Sequence, residues 1–225
     1  ANAHGPMATK LALRCLYLMF PFSEVMEPGF DGIADFVLSK GNDPEEEVRL
    51  ETVEFWRAVL NFPTLAAKSH RLMNHIVVYL LDSMVYQDME LSMMQGGDND
   101  WNVPDKPDEV RPRSYRARVN AVNADVDDND DSEEVGDWNL RQASALTLDE
   151  TAMSQGDAIL AAALPVIGDR MQPNKPWKQQ EAAILALGAI ASGCIIGITQ
   201  YLPQVVARLL DLGNDDSCHY LVRCI

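Results

Sequence analysis

The sequence is short of basic side chains. Its 225 residues hold 18 Lys and Arg against 34 Asp and Glu, which gives a net charge of −16. Nucleic-acid binding and adhesion to an anionic membrane both need clusters of Lys and Arg. We therefore expect neither direct nucleic-acid binding nor attachment to a membrane surface.

Cysteine and histidine are also scarce, and they form no metal or catalytic motif. The four cysteines include no C-x-x-C pair and the chain has no N-x-S/T sequon, which is typical of reduced thiols inside a cell. Cys218, His219 and Cys224 lie close together, but their spacing matches no common zinc motif. A Gly-Lys-Ser/Thr phosphate loop is missing as well. We expect no enzyme activity, no cofactor and no metal.

One long stretch without charge, residues 182–207, has the length of a membrane span. It is rich in Ala and Gly, it contains Gln200 and Gln204, and Pro203 predicts a break. No Lys/Arg cluster marks an inside flank. Two buried helices are therefore favoured over membrane insertion.

Almost all of the chain outside the acidic tract is predicted to be helical, because apolar side chains recur at helical spacing. Asp43 is predicted to cap a helix that has Pro44 at its first position. A long helix is predicted from Leu72 to Met94. Asp137 is predicted to cap the helix that follows the acidic tract, and Gly156 to end it.

The helices pair, and the pairs repeat. Arg49, Arg141, Gln180 and Arg223 occupy equivalent helical positions, and the last three are spaced by 39 and 43 residues. The step of 92 from Arg49 to Arg141 equals one repeat plus an insertion of about fifty residues. This period, with two helices per repeat, is typical of HEAT solenoids. We expect an all-α HEAT-repeat solenoid of antiparallel helix pairs, in which each Arg bonds the capping Asp of a neighbouring repeat.

The pattern divides the chain into three parts. Residues 8–95 are predicted to hold about two repeats, the first incomplete, and residues 137–225 about two and a half, the last truncated. Residues 96–136 form a long, disordered acidic insertion within one repeat, because their composition cannot bury enough apolar area to offset ordering entropy. We expect the chain to be a piece of a longer solenoid that associates through its exposed ends.

The insertion concentrates the charge. Eight acids and no base lie within residues 123–137, half of the net charge of the whole chain. Residues 110–118 before them form a short basic island. The tract is either a solvated spacer or an electrostatic arm for a basic partner segment. Its candidate acidic residues are Asp125, Asp127, Asp128, Asp130, Asp131, Glu133 and Glu134.

Five short motifs together resemble the transportins, the karyopherin-β2 branch of the importin-β superfamily. They are Glu-Phe-Trp at residues 54–56, Val-Arg-Pro-Arg at 110–113, Asp-Trp-Asn-Leu-Arg at 137–141, the Leu-, Gly- and Ala-rich run at 185–194 and Tyr-Leu-Pro at 201–203. The resemblance covers roughly residues 10–225 and is most specific from residue 110 onward.

The resemblance implies a nuclear import receptor that shuttles between cytoplasm and nucleus. It implies cargo proteins with basic proline-tyrosine nuclear localisation signals, which bind the concave face of the solenoid. It also implies release of cargo by the GTP form of the small GTPase Ran, coupled through the acidic loop, and contacts of the whole protein with nucleoporins. The alternative is a different HEAT scaffold for assembling protein complexes, with a disordered acidic insert.

The resemblance also implies cargo-binding residues on three successive second helices. They are Ala145, Leu146 and Asp149, then Leu185, Gly188 and Ala189, and finally Ile225. The family has a smaller alanine where this chain has Leu146, so we expect a narrower pocket. Small side chains would let an extended peptide approach the helix, and Asp149 would accept a hydrogen bond from a tyrosine or pair with a basic residue. The competing interpretation is that Gly188, Ala189 and Ala191 only permit close packing of helices.

Overall fold

The structure is a computed structural model that describes residues 5–88, 91, 139–215 and 217–223. These residues fold into helices joined by short turns and contain no strand. The α-helices, numbered in chain order, are α1 Gly5–Leu18, α2 Ser23–Met26, α3 Phe30–Lys40, α4 Glu46–Val59, α5 Pro63–Ser69, α6 Met73–Ser83, α7 Leu140–Gln155, α8 Leu160–Arg170, α9 Trp177–Ala191, α10 Ile195–Ile198, α11 Leu202–Asn214 and α12 Tyr220–Arg223.

The helices form two rows. The second-helix row consists of α1, α4, α7, α9 and α12, and each of these helices packs on the next one. The first-helix row contains α3, α6, α8 and α11, which pack on α4, α7, α9 and α12 respectively. These pairs are the repeats that the sequence predicts, and the all-α solenoid is confirmed. The predicted insertion, residues 96–136, falls between α6 and α7 and lies outside the described residues.

Two helix starts differ from the prediction. Asp43 lies three residues before α4 begins, and its carboxylate accepts a hydrogen bond from the Glu45 backbone N–H at 3.2 Å, so Asp43 closes a turn and does not cap the helix. The cap of α7 is Asn139, whose Oδ1 accepts from the Gln142 N–H at 2.9 Å. Asp137, the predicted cap, lies outside the described residues. Asn is as good a cap as Asp, so the prediction was wrong by two positions.

One predicted helix is shorter than expected. Leu72 ends a single 3-10 turn, and α6 stops at Ser83 well before Met94. A turn at Met84 and Val85 follows, in which the Met84 N–H still donates to the Leu80 carbonyl at 3.0 Å. Apolar spacing alone did not reveal this turn. At the other predicted stop, Gly156 ends α7 with a φ of 59°, a conformation that favours glycine.

The core of the first two repeats is aromatic. Phe20, Phe30 and Phe55 are fully buried. The ring centroids of Phe20 and Phe55 are 5.1 Å apart in an edge-to-face arrangement, and Phe55 meets Trp56 edge-on at 5.2 Å. Such pairs add to the free energy of apolar burial. Phe55 also stacks on Phe30 of α3 at 6.5 Å, so it joins α4 to the turn after α1 and to α3.

This core gives a direct test. Replacing Phe55 with Ala should lower the free energy of unfolding by about 3–5 kcal/mol, because it removes a fully buried ring and leaves a cavity. Urea unfolding followed by circular dichroism measures the change. Phe22→Ala is the matched control, since that ring is 68% exposed and its loss should cost less than about 1 kcal/mol. Equal losses in the two variants would contradict this account of the core.

Candidate peptide-binding surface

The candidate residues on α7 are largely covered by other helices. Ala145, Leu146 and Asp149 are only 2%, 3% and 5% exposed. They are buried because α7 packs against α4 on one side, α9 on the other and α6 behind. The Leu146 side chain therefore lies among the helices, and little of it is available to narrow an open pocket.

The candidate residues on α9 divide into accessible and buried ones. Leu185 is half-buried and Gly188 is exposed, whereas Ala189 is 1% exposed. Because α7 and α9 pack together, the structure brings the two candidate sets side by side. Ile225 lies outside the described residues. Of the described candidates, Leu185 and Gly188 offer the accessible surface.

Two glycines near this surface have different roles. A Cβ built on Gly193 would overlap the carbonyl group of Ala152, so Gly193 permits the turn after α9 to approach the end of α7. A Cβ built on Gly188 would meet nothing within 4 Å. Close packing therefore explains Gly193 and fits the buried Ala189, but it does not explain Gly188.

A buried ion pair joins α7 to α9. Arg141, in the first turn of α7, donates to both carboxylate oxygens of Glu181, and its Nη1–Oε2 distance is 2.8 Å. The side chain of Glu181 is 1% exposed and that of Arg141 is 12% exposed. Arg141 also donates to the Met84 carbonyl and stacks over the Tyr86 ring at 3.9 Å from its centroid. Removing one partner of such a pair leaves an uncompensated buried charge and typically costs about 3–5 kcal/mol.

The predicted ladder of Arg–Asp bonds is therefore corrected. The acid that Arg141 binds is Glu181 on the next second helix, and it is not a capping Asp. Arg14 of α1 also lies near an acid of the next second helix, Glu51 of α4, but this pair is looser, with Nε and Oε1 3.8 Å apart and the Arg14 side chain 56% exposed. The ladder is not continuous, since the buried Nε of Arg49 has no hydrogen-bond partner among the described residues. An acidic residue within the first two turns of α4 and of α9 was the available signal in the sequence.

The chain that enters the insertion is tied to α9. Lys178 donates to Asp88 at 2.6 Å, and this hydrogen bond and charge lower the pKa of the Asp88 carboxyl. The Tyr86 ring, which carries Arg141 on one face, lies 6.4 Å from the Trp177 ring. Tyr86 and Asp88 before the insertion and Arg141 after it are thus held near the start of α9. The candidate acidic residues 125–134 lie outside the described residues.

Trp177 continues this contact into the last repeat. It stacks on His219 with ring centroids 3.7 Å apart and planes 5° from parallel. Burial lowers the pKa of His219. This packing gives Trp177 a structural role. Within the described ranges, no group of three His, Cys, Asp or Glu side chains is placed to hold a metal.

The long uncharged stretch is divided between helices. It runs through α9, α10 and α11, with a turn after Ala191 and a 3-10 turn, Thr199–Tyr201, before α11. Among the described residues, no helix combines the length and the apolar character needed to cross a membrane.

Comparisons with known proteins identify the repeat type and the relatives. Residues 177–223 match the family model of a HEAT-like repeat. The chain is 35% identical over 173 residues to transportin-1 of Oryza sativa subsp. japonica, covering 76% of this chain and 19% of that protein. It is 32% identical over 234 residues to importin subunit beta-2 of Schizosaccharomyces pombe, covering 93% and 25%. Mouse transportin-1 is 31% identical over 209 residues, covering 88% and 23%.

Solved structures agree on the fold. A crystal structure of Kap121p bound to Pho4p matches 98% of this chain and 19% of that one, with a TM-score of 0.68 at 18% identity. Kap95p in its complex with Nup1 matches 96% of this chain and 22% of that one, with a TM-score of 0.64 at 20% identity.

Transportin and importin are names of transport receptors and not of enzymes, which agrees with the prediction that the chain is not an enzyme. The chain spans between a fifth and a quarter of the length of these relatives. Over most of its own length, this chain is a homologue of the transportins and of the importin beta-2 subunits, and it folds as a segment of an importin-β-type HEAT solenoid.

Proposed function

We propose that the chain is part of a nuclear import receptor that binds basic proline-tyrosine signals on the second-helix row around α7, α9 and α12. The observation that carries the proposal is Gly188, an exposed glycine in the last turn of α9 with nothing packed against it. Glycine inside a helix costs about 0.5–1 kcal/mol relative to alanine. A position that bears this cost without a packing reason is suited to the close approach of another backbone.

The surroundings of Gly188 fit an extended peptide. Leu185 lies one turn before it and is half-buried, so it offers an apolar contact for a proline or tyrosine ring. Ala145, Leu146, Asp149, Ala189 and Ile225 remain the other proposed cargo residues. Since most of them are buried here, we propose that they shape the surface under the peptide more than they touch it.

The charge of the chain supports a basic partner. A net charge of −16 attracts cationic peptides at long range and speeds their encounter with the receptor. The names of the relatives point the same way, because transportins and importins are transport receptors. Structures of Kap121p with RanGTP and with Nup53p supply a precedent for Ran and nucleoporins as partners, and so for shuttling between cytoplasm and nucleus.

The release step is proposed to run through the ion pair between Arg141 and Glu181. The acidic insertion, with Asp125, Asp127, Asp128, Asp130, Asp131, Glu133 and Glu134, is proposed to act when Ran-GTP binds. Arg141 lies just after the insertion and binds Glu181, which is on α9 one turn before Leu185. A change at the base of the insertion would therefore reach α9 through this ion pair.

Gly188→Ala tests the surface. The free energy of unfolding of the variant should be about 0.5–1 kcal/mol higher, because alanine favours the helix and its Cβ meets open space. Its affinity for a fluorescent basic proline-tyrosine peptide should fall, by about threefold or more, in an anisotropy titration. Gly168→Ala is the control, since Gly168 is also exposed in a helix with open space around it but lies in the first-helix row. That variant should become more stable and bind normally; loss of binding in both variants, or in neither, would overturn the assignment.

Deleting residues 97–135 tests the insertion. The shortened chain should keep its helical circular dichroism and bind the peptide within about threefold of the full chain, because the deletion removes no residue of the described helices. Adding Ran-GTP should displace the peptide from the full chain but much less from the shortened one. Collapse of the helical fold would refute the insertion assignment, and equal displacement from both proteins would refute its role in release.

The Arg141–Glu181 pair tests the link. A double variant, Arg141→Met with Glu181→Met, removes both charges and should remain folded, since an apolar pair can replace a buried ion pair. It should bind the peptide but lose part of the displacement by Ran-GTP. Lys10→Met with Glu47→Met is the control, because it removes an ion pair that also joins one second helix to the next, α1 to α4, but lies away from the insertion. Equal displacement from the test variant and the unchanged chain would contradict the link.

A further inference from the structure

A groove of about 580 Å³ crosses three successive helices of the second-helix row. Tyr17 of α1, Glu54 and Arg57 of α4, and Glu150 and Met153 of α7 line it. This volume lies within the range of about 300–1,000 Å³ that is usual for ligand sites. None of the candidate cargo residues lines it, although Glu150 directly follows Asp149 on α7.

The groove has more negative than positive charge. Arg57 is already engaged, because its Nη2 and Nε lie 2.6 and 3.0 Å from the same oxygen of Glu54. No Lys, Arg or His nitrogen of the described residues lies within 4 Å of the Glu150 carboxylate. Two carboxylates therefore face one guanidinium, and the buried Asp149 adds a further acid behind them.

The groove disfavours the charged form of Glu150. Partial burial raises the pKa of its carboxyl, and Asp149 and Glu54 raise it further, while Arg57 opposes them. The net upward direction means that the groove holds the Glu150 charge less well than water does. A second cation beside Glu150 would stabilise its charged form.

One wall of the groove is apolar. The Met153 side chain is 61% exposed, and Ala58 and Leu60 also line the groove. The Tyr17 ring is held in place, because its hydroxyl donates to the Glu51 carboxylate at 2.8 Å. An apolar wall beside an uncompensated carboxylate matches a lysine or arginine, whose aliphatic stem packs while its head pairs.

We propose that this groove binds the side chain of a lysine or arginine carried by an extended peptide. The cation pairs with Glu150, and its stem lies along Met153. The peptide would then extend across α7 from the surface near Gly188, so the identity of the peptide rests on the proposed function. An anionic ligand is disfavoured by the two carboxylates, and a purely apolar one would leave the Glu150 charge without a cation beside it.

The test compares peptides and variants in one cycle. Basic proline-tyrosine peptides are prepared with arginine, or with its neutral isostere citrulline, at each basic position in turn. For one position, Glu150→Gln should weaken binding of the arginine peptide to the full chain by about three- to tenfold and leave the citrulline peptide unchanged. Glu24→Gln is the control, because this exposed carboxylate on α2 does not line the groove.

The Glu150→Gln variant should remain folded, so a loss of folding should not explain weaker peptide binding. Since the pKa of Glu150 is raised, its neutral isostere should be tolerated at pH 7, and circular dichroism checks this. Lowering the pH through that raised pKa protonates the Glu150 carboxyl, so the arginine peptide should bind the unchanged chain more weakly. The Glu150→Gln variant should lose less over the same pH range.

The outcomes separate the two proposals. If the arginine peptide binds and Glu150→Gln has no effect at any position, the groove assignment is overturned and the proposed function stands. If no proline-tyrosine peptide binds, the proposed function fails, and a tetra-arginine peptide then tests the groove alone. Weaker binding of that peptide to Glu150→Gln than to Glu24→Gln supports the groove, and equal binding overturns it. Loss of Ran-GTP binding with no effect on peptides would assign the groove to a folded partner and also overturn the proposal.

Discussion

The burial of α7 on three sides is the constraint on which the rest of the structure depends. Residues from Ala143 to Asp149 are all buried, because α4, α9 and α6 each pack against this helix. A helix in this position can present only a narrow accessible strip. The strip of α7 that lines the groove lies near the C-terminal end of the helix, at Glu150, Met153 and Ser154. The same burial explains why α7 carries small residues such as Ala143, Ala145 and Ala152 where its neighbours cross.

The same constraint gives Arg141 its importance. A guanidinium that is 12% exposed must satisfy its donors inside the protein, and it does so on Glu181, on the Met84 carbonyl and on the face of Tyr86. These partners come from the end of the preceding first helix and from the next second helix. Arg141 thus connects the end of α6, before the insertion, and the start of α7, after it, to α9. A long insertion could be accommodated at this place because the ends that carry it are fixed independently of its own conformation.

The sequence predicted the helix pairs and their period well, because both depend on the spacing of apolar residues and on strong breakers such as Gly156 and Pro203. It failed where the outcome depends on which neighbour a side chain meets. Asp137 and Asn139 are both good caps, and only the register of α7 decides between them. The acidic partner of Arg141 depends on the crossing of α7 and α9, which no local pattern encodes. The exposure of Gly188 and the burial of Ala189, adjacent in sequence, likewise follow from the rotation of α9 within the row.

The acidic side chains then act on a basic ligand over two distances, at long range and in direct contact. The tract within the insertion sets a long-range field, which salt screens and which selects only for positive charge. The groove acts at contact distance, where Glu150 is partly shielded from solvent and a cation must fit beside Met153 and Tyr17 to reach it. A field without such a contact would attract any basic chain equally. A contact without the field would meet its ligand slowly. A receptor for basic signals, as we propose this chain to be, would use both: the field to attract the ligand and the groove on α7 to hold it.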